Sequence, residues 1–444
     1  MLKRARWIFP TLLFLTVHAA AQTNTPSTAT PAAPTPAATT VIRAGKFIDV
    51  DAGRQLTNQV IVIRDGQIVS VAASAGAAIP AGATILDLSN MTILPGMIDC
   101  HTHLVGDPQD TDPLMELGKT SAQRAFESIP NARATLLAGF TTVRDVGTYR
   151  AFVDVALRDA IARGDVVGPR MFVAGAYITI TGGGGTVNGA APDITLPWDL
   201  RFGVADGPDE VRKKVRAIEE YNVDLIKVIA TGAFLSHGSK PGTDDFTYEE
   251  IRAAVEEANK KGLRVAAHAH AASGIKNAVR AGAASIEHGT MIDDEGLRMM
   301  KDHGTYLVAD IYDDECIMRP LSQGGAPADF QAKEQQYAEV QRQNFKKAVL
   351  MGVKIAFGTD ASVCPHGTNA KQFAYQVRYG QTPMQAIQSA TINAATLIGN
   401  RDEFGSIAAG KSADIIGVMG DPLADIRALE NVSFVMKEGR IYKQ

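Results

Sequence analysis

Histidines, one lysine and one aspartate stand at the ends of short apolar runs, where they could together bind metal ions. Five of the nine histidines occupy such positions. Residues two apart in a strand point the same way, so the two members of a His-x-His pair can converge on one ion. Imidazole and carboxylate are ligands that zinc and similar divalent ions favour. The predicted metal ligands are His101, His103, Lys227, His268, His288 and Asp360.

Each of these residues also has an ordinary structural explanation. A lone strand-end histidine is more often structural, a buried lysine usually pairs with a carboxylate, and the turn that ends in Asp360 could only cap a helix. Taken together, however, the residues favour a metal site. His270 follows His268 on the same side of an extended strand, so either could be the ligand. We prefer His268 as the ligand because it ends the apolar strand.

Two further histidines are candidates for contact with a substrate. If His268 binds the metal, His270 is predicted to contact the substrate or to stabilise an oxyanion during catalysis. His237 lies in the loop after Lys227 and could bind a substrate carboxylate. An ordinary solvated loop histidine is an equally good interpretation of His237.

Alternating strands and amphipathic helices are predicted to position these residues. Good helical examples are 211–221, 248–261 and 330–351. Eight strand–helix repeats favour a closed (β/α)₈ barrel, an α/β fold whose active site lies at the carboxyl ends of its strands. A doubly wound open sheet is the alternative, but no Gly-x-Gly-x-x-Gly turn follows the first strand. The candidate strands are 94–101, 140–146, 170–175, 223–230, 263–268, 283–288, 305–309 and 353–359.

The two ends of the mature chain are predicted to form a second, smaller domain. Residues 41–93 and 405–444 are rich in strand-forming residues, with turns at Asp65-Gly66 and Glu438-Gly439. We predict that they form a small β-sandwich domain and that residues 94–404 form the metal-dependent barrel.

The N-terminus has the pattern of a secretory signal peptide. Basic residues precede a short apolar stretch over 7–17 and the small residues 19–21, so we predict a signal peptide over 1–21 and an exported protein, periplasmic or secreted. The apolar stretch is too short to span a bilayer, so no stable membrane insertion is expected. An uncleaved anchor is the alternative. Residues 22–40 are rich in Thr, Pro and Ala and are predicted to be a disordered linker.

Charge and cysteine content narrow the range of partners and cross-links. The chain has 444 residues and a formal net charge of -4, which offers no basic face for a nucleic acid. Its three cysteines, Cys100, Cys316 and Cys364, are too few and too widely spaced to form a disulfide framework. We therefore expect free, buried thiols, with a Cys316–Cys364 bridge as the alternative.

Four sequence motifs resemble those of the amidohydrolase superfamily. They are LPGMIDCHTH at 94–103, IEHG at 286–289, FGTD at 357–360, and GSI through GKSAD at 405–414. The resemblance covers nearly all of the chain after the predicted linker. Within the superfamily the chain looks most like the imidazolonepropionase-related, prolidase-like branch, which includes bacterial metallo-dipeptidases, carboxypeptidases and ochratoxinase.

The resemblance implies a site with two divalent metal ions, with a preference for zinc. His101, His103 and Asp360 would bind the more buried ion, His268 and His288 the more exposed one. Lys227 would be N6-carboxylated and would bridge both ions. A bridging hydroxide would attack the scissile carbonyl, while Asp360 accepts the proton and delivers it to the leaving amine. Relatives of this type also imply a homo-oligomer.

The predicted reaction is hydrolysis of the amide bond in dipeptides or N-acyl amino acids with a free C-terminal carboxylate. Ochratoxin A, cleaved to ochratoxin alpha and phenylalanine, belongs to this class. Deaminases and imidazolonepropionase place a Glu shortly after the fifth-strand histidine, whereas residues 269–272 here contain no acid. A lactonase or other cyclic amide or ester hydrolase is an alternative. An alternative from another class is a non-catalytic scaffold of the same fold.

Overall fold

The computed structural model describes residues 39–106, 110 and 112–444. The predicted signal peptide and residues 22–38 of the predicted linker lie outside the described residues. Within this part of the chain, no helix is long and apolar enough to cross a membrane. The strands are β1 (Thr39–Asp49), β2 (Arg54–Arg64), β3 (Gln67–Ala73), β4 (Thr84–Pro95), β5 (Met97–Thr102), β6 (Phe140–Asp145), β7 (Arg170–Val173), β8 (Tyr177–Ile178), β9 (Leu225–Ile229), β10 (Arg264–Ala269), β11 (Ser285–His288), β12 (Tyr306–Val308), β13 (Ile415–Val418), β14 (Val432–Lys437) and β15 (Arg440–Lys443). The α-helices are α1 (Ser121–Leu137), α2 (Val153–Arg163), α3 (Pro208–Glu219), α4 (Tyr248–Asn259), α5 (Ala272–Ala281), α6 (Asp294–His303), α7 (Asp314–Ile317), α8 (Ala328–Met351), α9 (Lys371–Arg378), α10 (Pro383–Gln388) and α11 (Ala394–Ile398).

Both ends of the described chain meet in one seven-stranded sheet, in the order β15-β14-β13-β4-β1-β2-β3. Strand β4 joins the two halves, because it pairs in parallel with β1 and antiparallel with β13. Thr39 and Thr40 already pair with β2, so the predicted linker ends two residues too late. The sheet coils over on itself until the β2–β3 turn touches the β14–β15 turn at Gly66 and Gly439.

The two predicted hairpin turns are present in this sheet. Asp65 and Gly66 have φ of 50° and 78°, and Glu438 and Gly439 have φ of 52° and 75°. Positive φ at both central residues is the type I′ geometry, which matches the twist of the flanking strands. Gly66 is also required for space, because an added Cβ would lie 2.7 Å from the carbonyl oxygen of Glu438.

The region between the terminal segments is an α/β barrel. Strands β5-β6-β7 form one parallel ladder, and β8-β9-β10-β11-β12 form another. The two ladders meet where the amide of Asp224 donates to the carbonyl of Val173, at 2.8 Å. A large apolar core fills the space between β8–β12 and the surrounding helices. The predicted fold class is confirmed, while the predicted domain boundaries stay a prediction.

The predicted eighth strand, 353–359, is irregular but still closes the ring. This segment is joined to β12 by an isolated bridge between Leu307 and Ile355, and it forms no regular strand pairing with β5. The Cys100 amide nevertheless donates to the Phe357 carbonyl at 2.8 Å. The Phe357 amide turns away to the carbonyl of Ser389. The segment therefore divides its hydrogen bonds among several neighbours instead of pairing as a strand.

Candidate metal centre

The carboxyl ends of the barrel strands open into a cavity of about 180 Å³. This is the end at which active sites of such barrels lie. The described lining includes all six predicted metal ligands together with His270, so the fold brings together residues separated by up to 259 positions (101 to 360). Other lining side chains that the prediction did not include are Asp110, Glu116, Arg124, Tyr149, Tyr177, Thr290, Asp310, Asp313, Glu334 and Gln341.

His101, His103 and Asp360 form the inner part of the site. An Asp360 carboxylate oxygen, Oδ1, lies 3.4 Å from His101 Nε2 and 3.2 Å from His103 Nε2. The other ring nitrogens face away from it. His101 Nδ1 lies 3.0 Å from the Glu287 carboxylate, and His103 Nδ1 lies 2.7 Å from the Gly147 carbonyl. The Gly147 carbonyl accepts a hydrogen bond from His103 Nδ1, whereas His101 Nδ1 lies beside Glu287 without a hydrogen bond in the described structure. Both Nε2 atoms face the Asp360 carboxylate.

His288, His268 and His270 form the outer part. His288 Nδ1 lies 2.7 Å from the carboxylate of Asp310, and His270 Nδ1 lies 2.8 Å from the hydroxyl of Thr290. The ring centroids of His268 lie 4.5 Å from those of both His270 and His288. All three rings can therefore offer a nitrogen to one ion, and the choice between His268 and His270 stays open.

Two of the predicted ligands have a backbone conformation that non-glycine residues rarely adopt. His288 has φ of 69° and Asp360 has φ of 51°. Such conformations cost free energy and persist where the surrounding structure enforces them, typically at functional sites. The neighbouring Gly358 is needed for space, because an added Cβ would lie 2.9 Å from the Cβ of His101. The FGTD motif thus allows the close approach of two ligand-bearing segments.

Lys227 lies on β9 inside the barrel wall and is 2% exposed. It pairs in register with Ala266, two residues before His268, so the two ligand side chains point to the same side of the sheet. Burial lowers the pKa of Lys227 to about 8, against the opposing charges of Glu287 and Asp360. The uncharged amine is therefore far more accessible here than on a solvated lysine.

Charges inside the cavity shift the pKa values of the inner residues in opposite directions. Burial alone would raise the pKa of Asp360, but His101, His103 and His288 outweigh it and hold that pKa far below its usual range. Burial and then Lys227 lower the pKa of His101. For His103, burial lowers the pKa, but the hydrogen bond that its ring donates to the Asp360 carboxylate outweighs burial and leaves the pKa raised. The carboxylate and a neutral His101 are the protonation states that bind cations.

A buried network beneath the site holds Glu287 in place. The Arg144 guanidinium donates to the Glu287 carboxylate at 2.8 Å, to the Ser285 hydroxyl at 3.0 Å and to the Cys100 carbonyl at 2.6 Å. Glu287 is 0% exposed, so this paired charge orients it towards His101. A charged residue within an apolar strand, the signal that identified Lys227, could also have identified Arg144.

Asp310 and two nearby acids were also missed by the prediction. Asp310 accepts from His288 and, at 2.9 Å, from the Gln341 amide. It directly follows the apolar residues that end β12, so its strand-end position was a usable signal. Burial raises the pKa of Glu334 to about 8 and places that of Asp313 well above its usual range. Asp313 lies in the turn that follows β12, whereas Glu334 lies in α8, where no sequence pattern predicts that it reaches the cavity.

His237 does not line this cavity among the described residues. Its Nε2 lies 3.0 Å from the carboxylate of Asp112, and its Nδ1 lies 3.5 Å from that of Asp329. The ring also packs against Phe330, with centroids 4.8 Å apart. Since two carboxylates already face the ring, the predicted binding of a substrate carboxylate by His237 is not supported by this geometry. The residue instead links the loops around the cavity mouth.

The expected state of the cysteines is wrong for two of the three. Cys316 and Cys364 form a disulfide, with Cα atoms 5.4 Å apart, which the sequence analysis held only as the alternative. The fold brings a cysteine of α7 next to a loop cysteine 48 residues later in the sequence, and spacing alone could not predict that. Cys100 is a free, buried thiol as expected, and burial raises its pKa to about 12.

The residues present fit divalent metal ions. One group of potential ligand atoms comprises His268, His270 and His288, another His101, His288 and Asp360, and in each group the atoms lie within 4.8 Å of one another. His268 Nε2 is buried without a hydrogen-bond partner in the described structure. A buried nitrogen in that state is costly, and coordination would satisfy it.

Comparison with known proteins supports this interpretation of the site. The chain is 31% identical over 431 residues to ochratoxinase from Aspergillus niger, covering 91% of this chain and 86% of that protein. The crystal structure of a Xaa-Pro dipeptidase with methionine in its active site is 38% identical, with a TM-score of 0.85 over 92% of this chain and all of that one. A prolidase in complex with N-methylphosphonate-L-proline is 29% identical, with a TM-score of 0.84 over 91% and 100% of the two chains.

A sequence model of the amidohydrolase family matches residues 92–442, from the end of β4 through the barrel to β15, the last strand of the terminal sheet. The matched region contains all the predicted ligands and every motif on which the resemblance was based. The histidine and carboxylate side chains of these motifs are the ones that converge at the cavity. The predicted relationship is therefore confirmed: the chain is a hydrolase that belongs to the amidohydrolase family.

Proposed function

We propose that this protein is a binuclear-metal amidohydrolase that cleaves the amide bond of dipeptides or N-acyl amino acids with a free C-terminal carboxylate. One observation carries the proposal. The Nε2 atoms of His101 and His103 converge on Asp360, while His103 Nδ1 is held by the Gly147 carbonyl and His101 Nδ1 lies 3.0 Å from the Glu287 carboxylate. This arrangement orients histidines for metal binding rather than for packing.

The proposed cofactors are two divalent ions, with zinc preferred, and a carbamate on Lys227. His101, His103 and Asp360 would hold one ion, His288 and either His268 or His270 the other, and carboxylated Lys227 both. When bound, the ions would supply hydroxide at neutral pH and polarise the scissile carbonyl. The burial of Lys227 supports carboxylation, because only an uncharged amine can react with carbon dioxide.

Asp360 is the proposed proton carrier. Its carboxylate faces the cavity, and its lowered pKa keeps it ionised. In this proposal it accepts a proton from the attacking water and passes it to the leaving amine. His270 lines the same cavity, with Nδ1 held by Thr290, and its proposed role is to contact the substrate or a developing oxyanion.

The substrate class is supported by what the relatives act on. One similar structure is that of a Xaa-Pro dipeptidase and another relative is an ochratoxinase. Both a dipeptide and ochratoxin A join an acyl group to an amino acid through one amide. We therefore propose dipeptides and N-acyl amino acids, including ochratoxin A, as substrates.

A substrate panel tests this proposal. Purified protein, loaded with zinc in the presence of bicarbonate, is mixed with dipeptides, N-acyl amino acids, ochratoxin A and a set of lactones. We expect release of free amino acid from at least one amide substrate. The Asp360→Asn variant, purified in parallel, controls for contaminating peptidases. Absence of amino-acid release from every amide contradicts the proposal, and hydrolysis of lactones alone assigns the protein to the alternative class.

We also propose that the protein is exported and forms a homo-oligomer. The buried Cys316–Cys364 disulfide supports export, because disulfides persist in oxidising compartments. The homo-oligomer is what the resemblance to relatives of this type implies. Fractionation of producing cells tests the first proposal, and light scattering of the purified protein tests the second. A cytoplasmic protein or a monomer, respectively, contradicts them.

A further inference from the structure

A disulfide lies directly behind the wall of the cavity. Cys316 belongs to α7, and Cys364 follows Asp360 by four residues. The two cysteines are 2% and 0% exposed and pack with Tyr312. Each therefore sits in a segment that also supplies side chains to the cavity: 310–317 on one side and 360–364 on the other.

These two segments lie close together at the cavity. Carboxylate oxygens of Asp310, Asp313 and Asp360 lie within 4.8 Å of one another. Ile317 packs with Val363, and the Cys364 sulfur lies 3.9 Å from the Asp313 carbonyl oxygen. The disulfide is the covalent link between the two segments.

The segment that begins at Asp360 has an irregular backbone that needs support. Asp360 has φ of 51° and Ser362 has φ of 129°. The Val363 amide donates to the Asp360 carbonyl at 3.0 Å, and the Ser362 amide donates to the Cys364 carbonyl at 3.3 Å. Cys364 thus forms part of the same tight turn as Asp360, and a restraint on Cys364 restrains that turn.

We propose that the Cys316–Cys364 disulfide is a positioning element of the active site, which holds the turn from Asp360 to Cys364 against the 310–317 segment. The bridge touches neither metal nor substrate. It acts through the backbone of Asp360, so its loss lowers the turnover number by about 10- to 100-fold, the scale expected when a reacting group is misplaced by about 1 Å. The kinetic part of this proposal rests on the proposed hydrolase function.

The test compares the oxidised protein with two forms that lack the bridge. One is the folded wild type reduced with a water-soluble phosphine. That reaction breaks the S–S bond, converts the two sulfurs to thiols with two protons from water, and oxidises the phosphine to its oxide with the oxygen of the same water. The other is the double variant Cys316→Ser/Cys364→Ser. We expect faster amide hydrogen exchange in 360–364 in metal-free protein, and a lower kcat with little change in KM in zinc-loaded protein.

Three controls separate positioning from general loss of stability. Ile61→Ala lowers stability from within the terminal sheet, and we expect it to leave exchange in 360–364 and kcat unchanged at a temperature where it is folded. The phosphine must have no effect on the double variant, which excludes removal of metal by the reagent. Reoxidation of reduced wild type must restore kcat.

Unchanged exchange in 360–364 on loss of the bridge overturns the proposal, and so does an unchanged kcat. If the wild type hydrolyses no substrate but exchange still rises, the proposed function fails and the positioning role of the bridge stands. The reduced wild type has already folded, so it keeps the test decisive even if the double variant does not fold.

Discussion

The terminal sheet and the rim of the barrel, formed by the carboxyl ends of its strands, differ in their buried side chains and in their backbone. In the sheet, β1 pairs along nearly its whole length with both β2 and β4. The inward side chains of the sheet, such as Ile61 on β2 and Phe434 on β14, are fully buried and apolar. At the rim, buried side chains are charged or ligating, and His288 and Asp360 have a left-handed backbone. The sheet has the features that stabilise a fold, whereas the rim carries the conformational and electrostatic cost of a functional site.

The largest expected effect lies at the rim. Asp360→Asn keeps the size of the side chain but removes its charge and its ability to carry a proton. We expect kcat/KM on the best amide substrate to fall by roughly 10³-fold. Thermal unfolding of the metal-free variant should occur at a lower temperature at neutral pH, because the histidines around Asp360 stabilise its ionised carboxylate in the folded state. A variant with near-normal activity would show that another group carries the proton.

Lys227 tests the proposed carbamate at the same rim. Lys227→Ala removes the carboxylatable amine, and we expect bound metal and activity to be lost together, with affinity for metal reduced by at least about 100-fold. Lys227→Arg is the matched control, since it retains a long cationic side chain that carbon dioxide does not carboxylate. With ¹³C-bicarbonate, the wild type should show a carbamate carbon signal that both variants lack. Full metal content in Lys227→Arg would refute the bridging role.

His268 and His270 are distinguished by replacing each separately. We expect His268→Asn to lose about one of the two ions per chain, because imidazole nitrogens supply most of the outer ligands. His270→Asn should keep both ions and lower kcat. Elemental analysis of the dialysed proteins measures the difference. Metal loss in His270→Asn alone would reverse our preferred assignment.

The sheet should respond in stability rather than in activity. Ile61→Ala removes a fully buried side chain, and we expect a loss of roughly 2–5 kcal/mol in the free energy of unfolding. Val69→Ala on the neighbouring strand is the control, because Val69 is 45% exposed and its change should cost less than about 0.5 kcal/mol. Specific activity per folded molecule should be unchanged in both. A fall in kcat for Ile61→Ala would show that the two regions are coupled.

The smallest expected effect concerns the touching hairpin turns. Gly66→Ala forces a side chain into positive φ and towards the Glu438 carbonyl. We expect a loss of about 1–2 kcal/mol in stability. Chemical denaturation measures it, with Gly82→Ala as the control for a positive-φ glycine that has open space around it. Equal losses in the two variants would show that the backbone conformation alone, and not the contact between turns, requires Gly66.

The sequence by itself determined the repeat of strands and helices, the I′ turns at Asp65-Gly66 and Glu438-Gly439, and the ligand-bearing motifs. These features depend on local physics: the two-residue period of a strand, the positive φ that glycine allows, and the chemistry of imidazole and carboxylate. The family relationship follows from the same local motifs, since each ligand lies inside a short recognisable run.

The groups that contact the far side of those ligands depend on the tertiary structure. Asp310 holds the far nitrogen of His288, Glu287 lies beside that of His101, two carboxylates face His237, and Cys316 joins Cys364. Each of these contacts joins different strands, helices or loops, and its partners are set by how the barrel closes and not by spacing along the chain. The irregular eighth segment has the same origin, because its hydrogen bonds go to neighbours that no local pattern could specify.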